Sequence, residues 1–448
     1  MSLLDLVKEI NSLFWGSLLL ILLCGTGIFF TFKLRFVQVR KFKESFKKTF
    51  GGITLRGAKA GKEGMSSFQA LTTAIAAQVG TGNLAGAATA IASGGPGAIF
   101  WMWVSAFFGM ATIFVEASLA QKYKTTIDGE VTGGPAYYIR AAFKGNFGKI
   151  LSVLFSVFII LALGFMGNMV QANPIGQAFM NSFNINPLII GIIIAVLSAF
   201  VFFGGIAKIA SVTEKLVPIM ALLYIIGSLI IIFANIGSLG GAIKDIVLGA
   251  FSPKAVAGGV VGVTIKEAVR YGVARGLFSN EAGMGSTPHA HAVAKVNHPC
   301  DQGVVAIISV FIDTFVILNL TAFVILTTGA LDGKATGIVL TQNAFTAGLG
   351  DLGKFFIPLC LFFFAFSTII GWYFFGELNI KFLFGKKATK IYAILVLFFI
   401  VLGSTLKVEI VWELADLFNG LMVIPNLLAL LALSGVAASL LEDYENKK

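Results

Sequence analysis

The sequence predicts an all-α polytopic membrane protein with eleven transmembrane helices. Three observations support this prediction: the composition, the spacing of the apolar stretches and the distribution of basic residues. Of the 448 residues, 57% are hydrophobic and only 12% are charged, and the mean hydropathy is +0.90. A soluble domain carries about 25% charged residues, which it needs to cover its surface. Most of this chain is therefore expected to face lipid.

Apolar stretches that are long enough to cross a bilayer recur along the whole chain. A transmembrane helix needs roughly 20 mainly apolar residues. Eleven stretches meet this requirement, near 12–32, 66–92, 97–121, 150–172, 187–204, 213–235, 258–292, 302–329, 353–380, 389–406 and 410–440. Two further stretches, 238–252 and 336–350, are too short or too polar to span, and we expect them at the membrane surface.

The basic residues sort onto alternate loops. Of the 33 Lys and Arg residues, 24 fall on loops of one side, six fall on the other side, and three lie within or beside a span. Because cytoplasmic loops are enriched in Lys and Arg, this asymmetry predicts an N-terminus outside and a C-terminus in the cytoplasm. It also explains the net charge of +11 without a nucleic-acid partner. The densest basic segment, 33–62, could contact anionic lipid headgroups, although topology alone accounts for its sign.

Two of the predicted spans contain clustered glycines and polar side chains near mid-membrane. They are the segments 67–83 and 269–286. Glycine costs about 1 kcal/mol in a helix interior, and freed backbone groups cost more in lipid unless they line a cavity. Close helix packing is one explanation. Two such segments, each opening a set of five spans, instead favour an inverted-repeat transporter with broken helices. The expected organisation is an extra N-terminal helix and basic loop at 1–62, a first repeat at 63–236 and a second at 237–448, which together form one membrane domain.

A broken helix offers two kinds of binding group. Unwinding at Val79–Asn83 would free N–H groups at the start of the second half-helix, where the helix dipole favours a carboxylate. It would also free carbonyl oxygens at the end of the first half-helix, which suit an ammonium group or Na⁺. An amino acid carries both charges, so these breaks fit an amino acid better than a sugar or a nucleobase. Simple monovalent ions remain an alternative.

Residues 94–109, GGPGAIFWMWVSAFFG, resemble the signature of the sodium:alanine (alanine or glycine:cation) symporters of the amino acid–polyamine–organocation superfamily. The resemblance implies a leucine-transporter-like fold, with one extra N-terminal helix before ten core helices. It also implies uptake of alanine or glycine driven by Na⁺, or by H⁺ in some members. The expected setting is a prokaryotic plasma membrane, where the protein acts as a monomer and is not an enzyme.

The same resemblance implies a sodium site between core helices 1 and 8. Residues 78–83 are similar to the broken part of core helix 1 in the leucine-transporter fold, and residues 364–368 are similar to the partner segment of core helix 8. By that match, the ligands would be the carbonyl oxygens of Ala76, Val79 and Phe364 and the hydroxyl groups of Ser367 and Thr368. Five oxygens of this type suit a hard monovalent cation.

The substrate site is also carried over by resemblance. Backbone amides at residues 80–82 would meet the substrate carboxylate, Phe278 would cover the site, and carbonyls near Ser279 would meet the ammonium group. Met284 would shape the side-chain pocket, and the bulk of Trp372 would reduce it towards alanine or glycine. The full predicted set is Gln78, Gly80, Thr81, Gly82, Asn83, Phe165, Asn168, Phe278, Ser279, Glu281, Met284 and Trp372.

The chain departs from the leucine-transporter pattern at several of these positions. Gln78 and Glu281 replace small residues, which puts the second, substrate-linked sodium site of that fold in doubt. Asn168 and Gln171 are polar where an aromatic residue is expected. Arg275 lies one turn before the residue expected to cover the site, and the outer-gate arginine of core helix 1 is missing.

Three carboxyl groups are expected inside the membrane, where ionisable residues are costly and mark function. Glu116 could brace core helix 6 through backbone N–H groups or could carry a proton. Glu281 could cap the second half of core helix 6 or could neutralise an ammonium group or an ion. Asp313 could be an ion ligand or could pair with another buried group.

We expect an outer gate formed by Arg275 with Asp416, with Glu413 as the second choice of partner. A channel and an intramembrane enzyme are the alternative functional classes. A channel would need a continuous polar lining without ion-coupled binding, and the paired breaks argue against it. An intramembrane enzyme would need a nucleophile with a base, or a metal site, at membrane depth, and the sequence shows neither a His-x-x-x-His pair nor a Ser/Lys dyad there.

Overall fold

The computed structural model describes residues 3–51, 61, 64–251, 264–406 and 409–447. These residues are mainly helical, and one antiparallel hairpin joins Thr125–Ile127 (β1) to Glu130–Thr132 (β2). The start of the seventh predicted span, at 258–263, lies outside the described residues. So do six of the basic residues used for the topology prediction, namely Arg56, Lys59, Lys62, Lys254, Lys407 and Lys448.

The first half of the chain contains eleven helices in the described residues. Their bounds are α1 Leu3–Lys33, α2 Val37–Arg40, α3 Phe42–Phe50, α4 Ser67–Gln78, α5 Ala87–Gly94, α6 Gly97–Lys122, α7 Pro135–Ala142, α8 Gly145–Phe183, α9 Pro187–Phe202, α10 Gly205–Ala234 and α11 Ile236–Phe251. Wider π-helical turns interrupt α1 at Phe14–Leu18 and α8 at Ile160–Gly167, and another, Gly82–Gly86, precedes α5.

The second half contains eight helices in the described residues. Their bounds are α12 Ile265–Asn280, α13 Pro288–Ala292, α14 Pro299–Thr327, α15 Gly337–Leu349, α16 Asp351–Phe384, α17 Ala388–Thr405, α18 Glu409–Ala432 and α19 Ser434–Asn446. A π-helical turn at Phe311–Leu318 lies inside α14. Such turns often occur at functional sites, and this one contains Asp313.

Eight helices in the described residues are long and apolar enough to cross a membrane, namely α1, α6, α8, α10, α14, α16, α17 and α18. Large apolar side chains project outward from several of them. Phe233 on α10 is 65% exposed and Ile391 on α17 is 64% exposed. The chain is therefore a multi-pass membrane protein. Three further predicted spans coincide with the shorter apolar helix α9 and with the two interrupted pairs, α4–α5 and α12–α13. The total of eleven stays a prediction.

The two interrupted helices begin in the same way and end differently. Each starts with a capping box, at Ser66 for α4 and at Thr264 for α12, which satisfies the first backbone N–H groups. After α4 the chain becomes extended at Val79 (φ −82°, ψ 92°). After α12 the chain turns through a left-handed residue, Glu281, with a φ of 57°. Gly283 follows with a φ of 86°, a conformation that favours glycine.

The two stretches that were expected at the membrane surface form the helices α11 and α15. The α11 helix packs on α6 and α14, and α15 packs on α16 and on the turn before α5. The Thr341 hydroxyl of α15 donates to the Leu84 carbonyl, 2.9 Å away. Both helices thus cover one end of the core, and their depth relative to a membrane stays a prediction.

The contact between α6 and α11 depends on Gly97. A Cβ atom at this position would lie 2.2 Å from the carbonyl carbon of Gly249, so backbone would have to move. We expect Gly97→Ala to destabilise the protein by about 1–3 kcal/mol, measured as a lower midpoint of thermal unfolding in detergent. Gly240→Ala is the matched control on α11, because nothing lies within 4 Å of its added Cβ. Equal midpoints for the two variants would contradict this packing.

Candidate functional site

Five oxygen atoms converge where α4 ends against the middle of α16. The Thr368 Oγ1 atom lies 3.0 Å from the Ala76 carbonyl oxygen and 3.4 Å from that of Val79. The Ser367 Oγ atom lies 3.4 Å from the Ala76 oxygen, and both hydroxyls donate to the Phe364 carbonyl, at 2.8 and 3.0 Å. All five residues predicted to hold sodium are therefore neighbours. We call this group the five-oxygen cluster.

The five-oxygen cluster has the chemistry of a cation site. Its members are carbonyl and hydroxyl oxygens without a carboxylate, which suits a hard cation of low charge. Glycines allow the two helices to meet here. A Cβ atom on Gly80 would lie 2.3 Å from Thr368 Oγ1, and one on Gly371 would lie 2.9 Å from the Cβ of Ala77.

The predicted free amides after α4 already have partners. Asn83 Oδ1 accepts from the Gly80 N–H at 3.0 Å, and Gln171 Oε1 accepts from the Thr81 N–H at 3.3 Å. The expectation of unoccupied N–H groups at these two residues is therefore wrong, because side-chain amides replace the lost helical acceptors. Gln171 was not in the predicted substrate set. The available signal was its position one helical turn after Asn168, also a polar residue.

Asp313 joins three interrupted or distorted segments. Its Oδ1 atom accepts from Asn83 Nδ2 at 2.6 Å and from Ser279 Oγ at 3.0 Å, and its Oδ2 atom accepts from the Thr314 hydroxyl at 2.9 Å. The carboxyl group is fully buried. Among the described residues, no cationic side chain forms an ion pair with it. Neutral donors from the turn before α5, from α12 and from α14 surround it instead.

The Glu281 side chain holds Trp372 and caps no backbone N–H group of the second half-helix in the described residues. Its two carboxyl oxygens accept from Trp372 Nε1 and from the Ser286 hydroxyl, each at 2.6 Å. The capping prediction for Glu281 is therefore wrong. The Asn280 side chain satisfies the local backbone instead, because its Oδ1 atom accepts from the Ala282 N–H at 3.1 Å. The Trp372 indole is fixed next to Phe278, with the ring centroids 6.3 Å apart in an edge-to-face arrangement.

Glu116 on α6 braces the chain after α12. Its carboxyl oxygens accept from the Gly283 and Gly285 N–H groups, each at 2.9 Å, and from Asn426 Nδ2 at 2.7 Å. These contacts confirm the predicted brace. The carboxyl group supplies acceptors that the interrupted helix cannot supply itself, and it ties α6, the segment after α12 and α18 together.

Three residues of the predicted substrate set carry buried oxygen atoms without a hydrogen-bond partner in the described part of the chain. These atoms are Gln78 Oε1, Thr81 Oγ1 and Asn168 Oδ1. Buried polar groups are normally satisfied, so such atoms are suited to bind a polar ligand. The Phe165 ring, by contrast, packs against Tyr392 and Phe399 of α17, at centroid distances of 5.6 and 5.1 Å.

Gly82 and Met284 complete the predicted set. A Cβ atom on Gly82 would lie 3.3 Å from the Cα atom of Ser279, so the two breaks approach each other here. Met284 is buried, and its N–H donates to the Glu281 carbonyl at 3.1 Å. The remaining members of the set, apart from Phe165, thus gather around the two breaks.

Two cavities adjoin Phe278, with volumes of about 230 and 510 Å³, and the larger one reaches the break after α4, since Thr81 and Gly82 line it. Arg275 and Phe278 line both cavities. Glu413 and Asp416 line the smaller one. No ion pair joins Arg275 to Asp416 or to Glu413 among the described residues, so the predicted gate contact is not formed in this conformation.

The N-terminal helix α1 forms part of the smaller cavity. Asn11 Nδ2 donates to Glu413 Oε2 at 2.6 Å, and Trp15 Nε1 donates to the Asp416 carbonyl at 3.0 Å. Lys8 also pairs with Glu409. The extra helix is therefore tied to α18 at the rim of this cavity.

Backbone contacts close the opposite end of the core. The Met65 N–H donates to the Val293 carbonyl at 2.9 Å, and the Lys295 N–H donates to the Met65 carbonyl at 2.8 Å. Gln121 Nε2 adds a bond to the Ala294 carbonyl, also at 2.9 Å. The start of α4 is thus held against the chain that follows α13, while the other end carries the cavities.

Comparison with known proteins identifies the family. The model of the sodium:alanine symporter family matches residues 1–448. The chain belongs to the sodium:alanine symporter family. Its members and relatives are transporters and not enzymes.

Relatives in this family match almost the whole chain. Sodium/alanine symporter AgcS of Methanococcus maripaludis is 43% identical over 98% of this chain and 96% of its own length. The protein named "Probable sodium/glutamine symporter GlnT" of Bacillus subtilis is 44% identical over 98% of this chain and 90% of its own length. Among solved structures, MhsT in complex with L-phenylalanine superimposes with a TM-score of 0.59 at 14% identity, over 84% of this chain and 97% of that chain. This likeness shows a shared fold, that of the leucine transporter.

The brace formed by Glu116 can be tested by stability. In Glu116→Gln, an NH₂ group replaces one acceptor oxygen and leaves a buried backbone N–H without a partner. We expect a loss of about 1–3 kcal/mol, measured as a lower midpoint of thermal unfolding. Glu442→Gln on α19 is the matched control, since Glu442 is exposed. An unchanged midpoint with an altered pH dependence of transport would instead assign Glu116 to proton transfer.

Proposed function

We propose that this family member is a symporter that uses the Na⁺ gradient to import small neutral amino acids, with alanine and glycine as substrates. The observation that supports Na⁺ coupling most directly is the five-oxygen cluster between α4 and α16. Its ligand atoms come from two different helices, and two of them, the carbonyl oxygens of Ala76 and Val79, are at the end of α4 that the helix break leaves open. A bound cation would therefore hold α4 against α16 and fix the shape of the adjoining break.

The substrate is proposed to bind between the two breaks. The unpartnered oxygens of Gln78, Thr81 and Asn168 are acceptors for the ammonium group. The Gly80 and Thr81 N–H groups would bind the carboxylate once the side-chain amides of Asn83 and Gln171 are displaced or shared. Binding would thus exchange internal hydrogen bonds for bonds to the substrate, which limits the desolvation cost.

Trp372 and Phe278 are proposed to restrict the substrate side chain. The Glu281 carboxyl fixes the indole of Trp372, so this ring cannot rotate away without losing a buried hydrogen bond. The relatives are named for alanine and for glutamine at nearly equal identity. Competition of labelled alanine binding by glycine and by glutamine would therefore determine how much space this pocket leaves.

The transport cycle is proposed to be alternating access in a membrane topology of eleven helices. The N-terminus is outside, the C-terminus is cytoplasmic, and residues 63–236 and 237–448 are inverted repeats within one monomer of the plasma membrane. In this orientation the cavities beside Arg275 open outward, and the backbone contacts of Met65 close the cytoplasmic side. The conformation then corresponds to an outward-facing state.

Proton coupling is the second candidate, and Asp313 is the observation that favours it. The carboxyl group is buried among neutral donors in the described residues and lies between the two breaks. Burying a carboxylate without a cation is costly. Either a bound proton or a bound cation would therefore stabilise this buried group. Comparison of alanine binding with and without Na⁺ separates the two candidates.

The five-oxygen cluster predicts the effect of Thr368→Ala. Loss of one of five ligands should raise the Na⁺ concentration for half-maximal binding of radiolabelled alanine by roughly tenfold, which is about 1.4 kcal/mol. Purified protein would be titrated with NaCl, with choline chloride keeping the ionic strength constant. Thr327→Ala is the matched control, since its hydroxyl also donates to the carbonyl four residues earlier but lies at the far end of α14. Alanine binding to the wild type that does not depend on the Na⁺ concentration would contradict Na⁺ coupling and indicate H⁺ as the driving ion.

The outer gate predicts a kinetic effect for Arg275→Ala. We propose that Arg275 pairs with Asp416 when the outer cavities close, so the pair contributes to closure and not to the open state seen here. Loss of the arginine should lower the rate of alanine uptake into proteoliposomes by at least about fivefold and leave equilibrium binding within about twofold. Arg270→Ala, which changes the same cavity one turn earlier, is the control. Transport at the wild-type rate in Arg275→Ala would exclude this gate.

A further inference from the structure

The helix α3 presents an aromatic and basic face away from the core. Lys43, Phe46, Lys47 and Phe50 follow the i, i+3, i+4, i+7 spacing of one helical face, and all four are exposed. The opposite face is anchored, since Ser45 and Thr49 on it are buried. Helices with such faces lie in the membrane interface, with aromatic rings among the acyl chains and lysines near anionic headgroups.

The basic residues around α3 divide into paired and unpaired groups. Lys41 pairs with Glu445 at 2.7 Å, and Lys48 pairs with Asp301. Lys43 and Lys47 form no ion pair with any described residue. The two lysines on the outward face are therefore available to an anion that is not part of the described chain.

An apolar groove of about 290 Å³ begins under this face. Phe46 and Phe50 form its entrance, and α4, α10 and α14 form its walls. The lining on this side runs from Phe68 of α4 to Val79 just after that helix, eleven residue steps or about 16 Å at the rise of an α-helix. The groove exposes apolar atoms only. Its length and lining suit one acyl chain.

We propose that α3 and this groove bind one anionic glycerophospholipid. Its phosphate group lies between Lys43 and Lys47, and one acyl chain runs under Phe46 and Phe50 into the groove. The combination selects this ligand. A free phosphate has no acyl chain to fill the groove, and a zwitterionic headgroup is attracted less strongly than an anionic one by two lysines. The proposal rests on α3 and the groove, and it holds whether or not the protein carries Na⁺ or alanine.

The inner end of the groove reaches the helices of the five-oxygen cluster. Val79 and Met220 line it. The Ser367 hydroxyl, which belongs to the cluster, lies 3.3 Å from the Met220 sulfur. An acyl chain in the groove therefore packs behind α4 on the side opposite the substrate region, and occupancy supports the position of the α4 carbonyl oxygens.

The test is lipid retention measured by native mass spectrometry of the purified full-length protein. Delipidated protein is titrated with phosphatidylglycerol or with phosphatidylcholine of identical acyl chains. We expect one phosphatidylglycerol per chain to be retained preferentially by the wild type. The double substitution Lys43→Gln with Lys47→Gln should weaken this binding by roughly tenfold. Lys387→Gln with Lys390→Gln removes the same charge from two exposed lysines at the start of α17 and should change nothing.

A second variant separates the acyl-chain groove from the headgroup site. Ala221 lines the groove, and Ala221→Phe should fill it and abolish the preferential retention while the unfolding midpoint stays near that of the wild type. Inorganic phosphate at millimolar concentration should not displace the bound lipid. Equal retention of the two lipids, or unchanged retention in the Lys43/Lys47 variant, would overturn the proposal. So would displacement by phosphate, which would show an anion site without a lipid chain, or full preference in Ala221→Phe, which would show a headgroup contact without the groove.

Discussion

The organisation of the core follows from one physical constraint, the cost of leaving backbone N–H and C=O groups without partners inside a membrane. Two helices, α4 and α12, end within the core, and each exposes such groups. The protein satisfies those after α12 with the Glu116 carboxyl, which accepts from Gly283 and Gly285. It satisfies those after α4 with the side-chain amides of Asn83 and Gln171. Neighbouring helices are therefore placed so that these acceptors reach the breaks.

The two breaks are satisfied in different ways, and this difference bears on their roles. Glu116 has an ionisable carboxyl group that accepts three hydrogen bonds, so it holds the segment after α12 firmly. The amide oxygens after α4 form single neutral bonds, and the bond to the Thr81 N–H is long, at 3.3 Å. A ligand carboxylate is a stronger acceptor than an amide oxygen, and it can replace these bonds at little cost. The break after α4 is accordingly the better candidate for the exchangeable part of the site.

The freed carbonyl oxygens at the end of α4 find hydrogen-bond donors in a different way. The Thr368 hydroxyl lies within hydrogen-bond distance of the Ala76 and Val79 carbonyl oxygens, and the Ser367 hydroxyl lies within that distance of the Ala76 oxygen. Each hydroxyl can give its single hydrogen to one of these oxygens or to the Phe364 carbonyl. A hydroxyl oxygen keeps lone pairs while its hydrogen is donated, so the group can rotate and serve as a cation ligand. The five-oxygen cluster can thus exist with or without a cation, as a coupled transporter requires of its ion site.

Much of this arrangement was predictable from local sequence. The apolar stretches predicted the long helices, because a chain with so few charged residues must place about 20 apolar residues at a time across the bilayer. The glycine clusters predicted where α4 and α12 end. Resemblance to a known fold predicted the five neighbours of the cation cluster. Glu281 shows where local reasoning failed, since a carboxyl near a helix end suggested a cap, whereas one of its two partners, Trp372, is 91 residues away.

The sequence by itself therefore determined the class of protein, the long membrane helices and the positions of the helix breaks. These features depend on composition and on neighbours within one or two helical turns. The tertiary structure decided which side chain satisfies each freed backbone group, that Arg275 and Asp416 line one cavity, and that Phe46 and Phe50 line an apolar groove. These features join segments that are distant along the chain, and their partners are selected by helix packing, which no local pattern encodes.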